Sequence, residues 1–115
     1  MSVDRRAVAI AGHTGDVATA TRGLDHPDPA VRATALGALD RLGVLSDERL
    51  AAAFGDEHAT VRRRAVELAA RRPAIDLSGP LADPDPAVVE VAAWACGEHE
   101  EVGDHELATL VELAT

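Results

Sequence analysis

Residues 24–36 read LDHPDPAVRATAL, and two later stretches repeat this pattern without gaps. They are FGDEHATVRRRAV at residues 54–66 and LADPDPAVVEVAA at residues 81–93. In each stretch a large apolar residue stands seven positions before a valine, and an alanine stands four positions after that valine. The stretches begin 30 and then 27 residues apart, which is a spacing typical of helical repeat proteins. The sequence therefore predicts stacked copies of one structural unit.

Each unit is predicted to consist of a helix A, a turn and a helix B. The two proline-rich turns carry Pro29 and Pro86 at the point where helix B begins, and a proline in the first helical turn loses no hydrogen bond. Short polar side chains that can accept a backbone N–H precede several of the helices. The predicted N-caps are Asp16, Asp28, Ser46 and Asp85.

Apolar residues recur along each helix B with a period near 3.6, which predicts its buried face. The positions are Val31, Ala35, Ala38, Leu39 and Leu42 in the first unit, Val61, Ala65, Leu68 and Ala69 in the second, and Val88, Ala92, Ala95 and Cys96 in the third. On this interpretation Cys96 is an inert thiol of the core. Gly43 and Gly97 are predicted to lie at helix ends.

The repeats predict a single domain over residues 1–115. It begins with a half-repeat, residues 1–13, because Val3–Ala11 is similar to the second helix B. Three repeats follow, at residues 16–43, 46–72 and 73–99, and a half-repeat at residues 104–115 ends the chain. The third helix A, residues 74–81, is expected to be short and bent, because Ser78, Gly79 and Pro80 interrupt it.

The last half-repeat has an apolar stripe with no following helix B to cover it. The stripe consists of Leu107, Leu110, Val111 and Ala114. Two explanations stand: the chain is a fragment of a longer repeat protein, or the stripe pairs with a second copy in a dimer. Either one predicts self-association through residues 104–115.

The Asp-Pro-Asp-Pro-Ala-Val turn at residues 83–88, followed by an alanine-rich helix, resembles the HEAT-like repeats of the phycobilin-lyase type. The resemblance covers nearly the whole chain and implies an all-α fold, a right-handed α-solenoid with its B helices on the concave side. It also implies a ladder of ion pairs between a turn Asp and a helix-B Arg of the neighbouring unit. Asp56 and Arg62 match both positions, whereas His26 replaces the Asp and Val89 replaces the Arg. The ladder is therefore expected to be broken at both ends.

Composition excludes several classes of function. The 115 residues carry 11 basic side chains, all of them Arg, against 20 acidic ones, which gives a formal charge of −9. One cysteine excludes an intramolecular disulfide, and no apolar run approaches the length of a membrane span. Residues 73–115 contain ten acids and no base, which disfavours nucleic-acid binding. We expect an acidic, cytoplasmic protein that does not enter a membrane.

The candidate binding surface is the face of helix B that lies off the core stripe. In the first unit this face carries Thr34, Gly37 and Arg41. In the next two units it carries the predicted partner-binding residues Arg64, Glu67, Arg71, Val91 and Trp94. An exposed tryptophan beside arginines is typical of a binding hot spot. The alternative is that Trp94 fills the space between two B helices.

The other chemistry-bearing groups do not form a recognised motif. Residues 98–106 hold several His, Asp and Glu side chains, but they lack the His-x-x-x-His spacing of a zinc site, so we expect an acidic loop between helices, no metal and no cofactor. No nucleophile–base motif is present, so no catalytic residue is predicted.

The leading functional hypothesis is a protein-binding module or scaffold that is not an enzyme and whose protein partner is unidentified. The resemblance implies an alternative, a bilin-lyase-like enzyme or enzyme subunit that handles an open-chain tetrapyrrole. Nucleic-acid binding is a third and weaker hypothesis.

Overall fold

The structure, a computed structural model, describes the backbone of residues 4–114 and the side chains of residues 4–100. This part of the chain contains seven α-helices and no β-strand. The helices are α1 (Arg5–Thr14), α2 (Val17–Gly23), α3 (Pro29–Arg41), α4 (Asp47–Ala52), α5 (Ala59–Ala69), α6 (Ser78–Leu81) and α7 (Pro86–Ala114). A single 3₁₀ turn, Ala53–Gly55, follows α4. The predicted all-helical fold class is confirmed.

The helices pack in the order in which they occur along the chain. The longer helices α1, α3, α5 and α7 form a row in which each contacts the next. The shorter helices flank this row: α2 lies against α1 and α3, α4 against α5, and α6 against α7. The molecule measures 58 × 34 × 18 Å along its principal axes. None of the described helices is both long and apolar enough to span a bilayer.

The predicted stripe of each helix B lies in the core, where it packs with buried residues of α1, of the shorter helices and of the connecting segments, such as Val8, Leu50 and Leu77. The anchoring valines Val31, Val61 and Val88 are buried, and Ala35, Ala65 and Ala92 have no exposed surface. Such small side chains let neighbouring helices approach closely, and the valines and leucines of the core remove larger apolar surfaces from water. Leu42, Leu68 and Cys96 are only partly buried at the edge of this cluster. The predicted phase of helix B is therefore confirmed in all three units.

Two glycines set the closest contacts between helices. A Cβ atom added at Gly12 of α1 would lie 2.9 Å from the Cβ of Ala38 in α3. A Cβ atom added at Gly23 of α2 would lie 2.8 Å from Cγ2 of Val8. Both distances are shorter than a van der Waals contact, so these positions accept no larger residue without moving a helix.

The predicted caps form as expected. Asp16, Asp28, Ser46 and Asp85 each accept a hydrogen bond from a backbone N–H two or three residues further on, at 2.8–3.1 Å. Gly43, which follows α3, has a φ of 73°. This left-handed conformation is the one that ends many helices, and it favours glycine.

The prediction for residues 97–104 is wrong. Helix α7 continues from residue 86 to residue 114 without ending at Gly97, so there is no acidic loop and no separate final helix starting at residue 104. A glycine inside a helix costs only about 1 kcal/mol, and no proline follows Pro86 to stop the helix. The side chains of residues 104–115 lie outside the described part, so self-association through them stays a prediction.

The third helix A differs in position from the prediction. Residues 74–77 are not helical, and α6 consists of only four residues, beginning at Ser78. The residues expected to interrupt the helix therefore form it. Pro80 is tolerated there because the N–H groups of a first helical turn have no partner inside the helix.

Candidate functional site

All five residues predicted to bind a partner line one groove between α5 and α7. We call it the Trp94 groove; its volume is about 800 Å³. It is lined by Asp40, Arg63, Arg64, Glu67, Leu68, Arg71, Ala87, Glu90, Val91 and Trp94. Helical spacing explains part of the grouping, since residues 64 and 67 share one face of α5 and residues 87, 91 and 94 share one face of α7. Arg71 joins them from the turn that follows α5.

Trp94 is the most exposed large apolar residue of the described chain. Its exposed fraction is 53%, whereas Leu68 and Val91 beside it are partly buried against the core. A tryptophan that only filled space between two helices would be largely buried, because its ring is a large apolar surface. The exposure of Trp94 favours the interpretation as a binding residue.

The charges of the Trp94 groove are only partly paired. Glu67 accepts a hydrogen bond from Nη1 of Arg64 at 3.1 Å and lies 3.6 Å from Nε of Arg63. These exposed pairs within one helix are weak. Arg71 makes no ion pair with any described residue. Of the two arginines predicted to bind a partner, Arg64 and Arg71, the latter is therefore the more available for a carboxylate of the partner.

A second groove, which no pattern in the sequence singles out, lies between α1 and α3, and Thr60 and Arg64 of α5 also line it. We call it the Arg41 groove; its volume is about 480 Å³. Its walls carry Arg5, His13, Arg41 and Arg64, and no acidic residue lines it. Nη1 of Arg41 lies 2.8–2.9 Å from the ring nitrogens of His13. The sequence placed Arg41 on the equivalent face of α3 and predicted a preceding helix B over residues 1–13, but no residue pattern singled out the groove between the two helices.

The floor of the Arg41 groove is built from small residues. Gly37 is among them, and a Cβ atom added there would lie 2.8 Å from Nη2 of Arg64. The Arg64 guanidinium thus rests against the bare backbone of α3. Because Arg64 also lines the Trp94 groove, the two grooves adjoin at this side chain.

The helix-to-turn ladder has two rungs. Arg32 donates from Nε and Nη2 to Asp56, at 3.0 Å each, and Arg62 donates from the same atoms to Asp83, at 2.8 and 3.2 Å. Each arginine thereby joins a long helix to the turn of the next unit. Both Arg–Asp pairs for which the sequence supplies an arginine and an aspartate are formed. Rungs are missing only where His26 replaces the aspartate and Val89 replaces the arginine, so the ladder is interrupted at its two ends, as predicted.

The ladder carboxylates have depressed pKa values. The hydrogen bond from Arg62 lowers the pKa of Asp83, and the backbone N–H of Asp85 lowers it further. For Asp56, burial raises the pKa, but hydrogen bonds from Arg32 and from the N–H of His58 outweigh that effect, so its pKa is also lowered.

His26 occupies the position of the ladder Asp in the first turn. Its Nδ1 accepts the N–H of Asp28 at 3.0 Å. Asp56 and Asp83 accept the N–H two residues further on in the same way. The imidazole therefore replaces the carboxylate as acceptor in the turn, without forming a rung.

Several arginines lie close together in the sequence, at residues 62–64 and 71–72, and two of them have a structural role. Arg62 belongs to the ladder, and Arg72 donates to Asp40, to Asp47 and to the carbonyl oxygen of Leu45, at 2.6–2.8 Å. These bonds tie the segment after α5 to α3 and to the segment in which α4 begins. Neither arginine is available to contact a phosphate backbone.

No metal site is present among the described side chains, where no group of three His, Cys, Asp or Glu residues comes together. His99, in the segment expected to be a loop, lies on α7 with its Nε2 2.7 Å from the carbonyl oxygen of Ala69. Its role is therefore to hold α7 against the end of α5.

Comparison of the chain with protein families, with curated proteins and with solved structures finds no match. The fold and the site alone therefore characterise it, as an all-helical protein with two adjoining surface grooves along its row of longer helices.

Proposed function

We propose that this protein is a small α-solenoid of HEAT-like repeats that acts as a protein-binding module or scaffold, without catalysis of its own. The partner binds across the row formed by α1, α3, α5 and α7, with its centre at the Trp94 groove. The observation that carries the proposal is the half-exposed indole of Trp94 in a groove between two helices.

The repeated packing supports the solenoid assignment. Each long helix contacts the next, and two equivalent Arg–Asp rungs connect successive units. Equivalent contacts between neighbouring units are the defining property of a stacked repeat protein.

The composition of the Trp94 groove suits a protein partner. Trp94, Val91 and Leu68 offer apolar area at its centre, while Arg71 and Glu90 provide charge around it. Interfaces in which a central tryptophan is surrounded by charged groups concentrate their binding energy in that anchor. In addition, the groove is open to an extended or helical segment of a partner.

The test is affinity capture from the native host with three forms of the protein: wild type, Trp94→Ala and Val44→Ala. Val44 is a matched control because it is 48% exposed and lines neither groove. We expect wild type and Val44→Ala to capture the same partner and Trp94→Ala to lose most of it, with all three equally folded by circular dichroism. Capture that is equal for all three forms would contradict the proposal.

A further inference from the structure

The Arg41 groove differs in charge from the rest of the molecule. The chain as a whole carries a formal charge of −9, yet this groove is lined by three arginines and one histidine and by no carboxylate. Glu67, which pairs with Arg64, lies on the side of the neighbouring groove. A basic concave surface on an acidic protein is selective, since the remaining surface repels the anions that the groove attracts.

Along α3, position 41 is separated from Gly37, over which Arg64 rests, by nearly the spacing of alternate residues in an extended chain. The guanidinium of Arg64 rests over Gly37, and Arg41 lies four residues further along α3. Four residues of α-helix rise by about 6 Å. Alternate residues of an extended peptide are separated by nearly the same distance, about 6.6 Å. A guanidinium carries five N–H donors, so each of these groups can donate charge-assisted hydrogen bonds to a carboxylate besides the contacts it already makes.

We propose that the Arg41 groove binds an acidic, extended segment of the protein partner, whose Asp or Glu side chains at alternate positions pair with Arg41 and Arg64. This inference rests on the proposed function, because it specifies which part of the partner lies beside the Trp94 groove. The small floor residues of the groove let the backbone of the segment approach α3 closely.

A nucleic acid is the competing polyanion, and the charge distribution argues against it. Residues 73–115 contain ten acids and no base, and a nucleic acid crossing the grooves would run towards them. Its continuous phosphate charge would be repelled there. A short acidic peptide can bind within the Arg41 groove alone and does not reach these acidic residues.

The test is the fluorescence anisotropy of a labelled octapeptide of alternating Glu and Ser, titrated with the full chain at low salt. The matched probes are the same peptide with Gln in place of Glu and a single-stranded oligothymidylate of equal charge. We expect the Glu peptide to bind at least tenfold more tightly than either probe. Absence of binding, equal binding of the Gln peptide, or tighter binding of the oligonucleotide would each overturn the proposal.

Two substitutions test whether the Glu peptide binds in the Arg41 groove. Arg41→Gln should weaken binding of the Glu peptide about fivefold or more, as expected for loss of one charge-assisted hydrogen-bonding group. The control Arg22→Gln removes the same charge from α2, outside both grooves, and should change affinity less than twofold. An equal effect of the two variants would mean that only net charge matters, and would overturn the proposal.

Gly37→Ala tests the role of Arg64 in a variant that is expected to remain folded. Alanine favours the helix, but its Cβ displaces the guanidinium of Arg64, so peptide binding should fall while thermal stability is maintained or rises. Unchanged affinity would contradict the role of Arg64. The peptide assay does not involve the natural partner, so it is independent of the capture experiment. If the peptide fails to bind but capture succeeds and depends on Trp94, this inference is wrong and the proposed function still stands.

Discussion

The guanidinium of Arg62 donates from Nε and Nη2 to the two carboxylate oxygens of Asp83, which lies 21 residues further along the chain. Its Nη1 donates to the carbonyl oxygen of Asp56 in its own turn. One side chain therefore fixes the start of α5 to the turn before α7. Arg32 does the same between α3 and Asp56, so a repeated contact holds successive units in register.

The ladder predicts a clear difference between neighbouring arginines. Arg62→Gln should lower the free energy of unfolding by about 1.5–3 kcal/mol, since hydrogen bonds to a shielded charged group are lost. Arg63→Gln removes only an exposed pair within one helix and should cost less than about 0.5 kcal/mol. Urea unfolding followed by circular dichroism measures both. Equal costs would mean that the ladder does not stabilise the stack.

The depressed pKa values of Asp56 and Asp83 predict an acid-sensitive fold. A carboxyl whose folded-state pKa lies below its unfolded value of about 3.9 stabilises the protein fully above that value. The contribution is lost as the pH falls through the lower, folded-state pKa. Stability should therefore decline below about pH 4. The decline should be shallower in Arg62→Gln, and parallel pH profiles of the two proteins would refute the assignment.

The core stripe predicts which substitutions prevent folding. Ala65→Arg and Ala92→Arg place an uncompensated charge at fully buried positions and should each cost at least about 3–5 kcal/mol, enough to unfold the chain. Glu67→Ala, at the groove, should change stability by less than about 0.5 kcal/mol. Thermal melts provide the comparison, and a wild-type melt for Ala92→Arg would show that the phase of helix B is wrong.

Two glycines in helices should respond oppositely to alanine. Gly12→Ala brings a Cβ to 2.9 Å from Ala38 and should destabilise the protein by about 1–3 kcal/mol through overpacking. Gly97→Ala meets no described atom within 4 Å and should stabilise α7 by up to about 1 kcal/mol. Melting temperatures that move in the same direction would contradict the packing described for α1 and α3.

The all-helical fold class and the grouping of residues at the Trp94 groove could be predicted from the sequence because both follow from helical periodicity. The repeats place Val31, Val61 and Val88 in the core, and the same period gathers Glu67 and Trp94 on the opposite face. The end of a helix is harder to predict when the sequence offers only a glycine to mark it. Gly97 is such a case, because only the backbone conformation of a glycine distinguishes a helix end from a tolerated position inside the helix.

The Arg41 groove could not be predicted for a different reason. Its walls come from α1, α3 and α5, and the relative position of α1 and α3 depends on the close approach of Gly12 to Ala38. That contact is a property of tertiary packing. The basic character of the groove is not evident from the sequence either, because residues 1–72 contain nearly equal numbers of acidic and basic side chains.

The central claim, that a partner binds over Trp94, is tested most directly by the fluorescence of this single tryptophan. In the free protein the half-exposed indole should emit at long wavelength and be quenched readily by acrylamide. Saturation with a tryptophan-free segment of the captured partner should shift the emission to shorter wavelength and reduce the quenching constant at least twofold. Unchanged emission and quenching with the segment bound, or a quencher-resistant indole in the free protein, would contradict the claim.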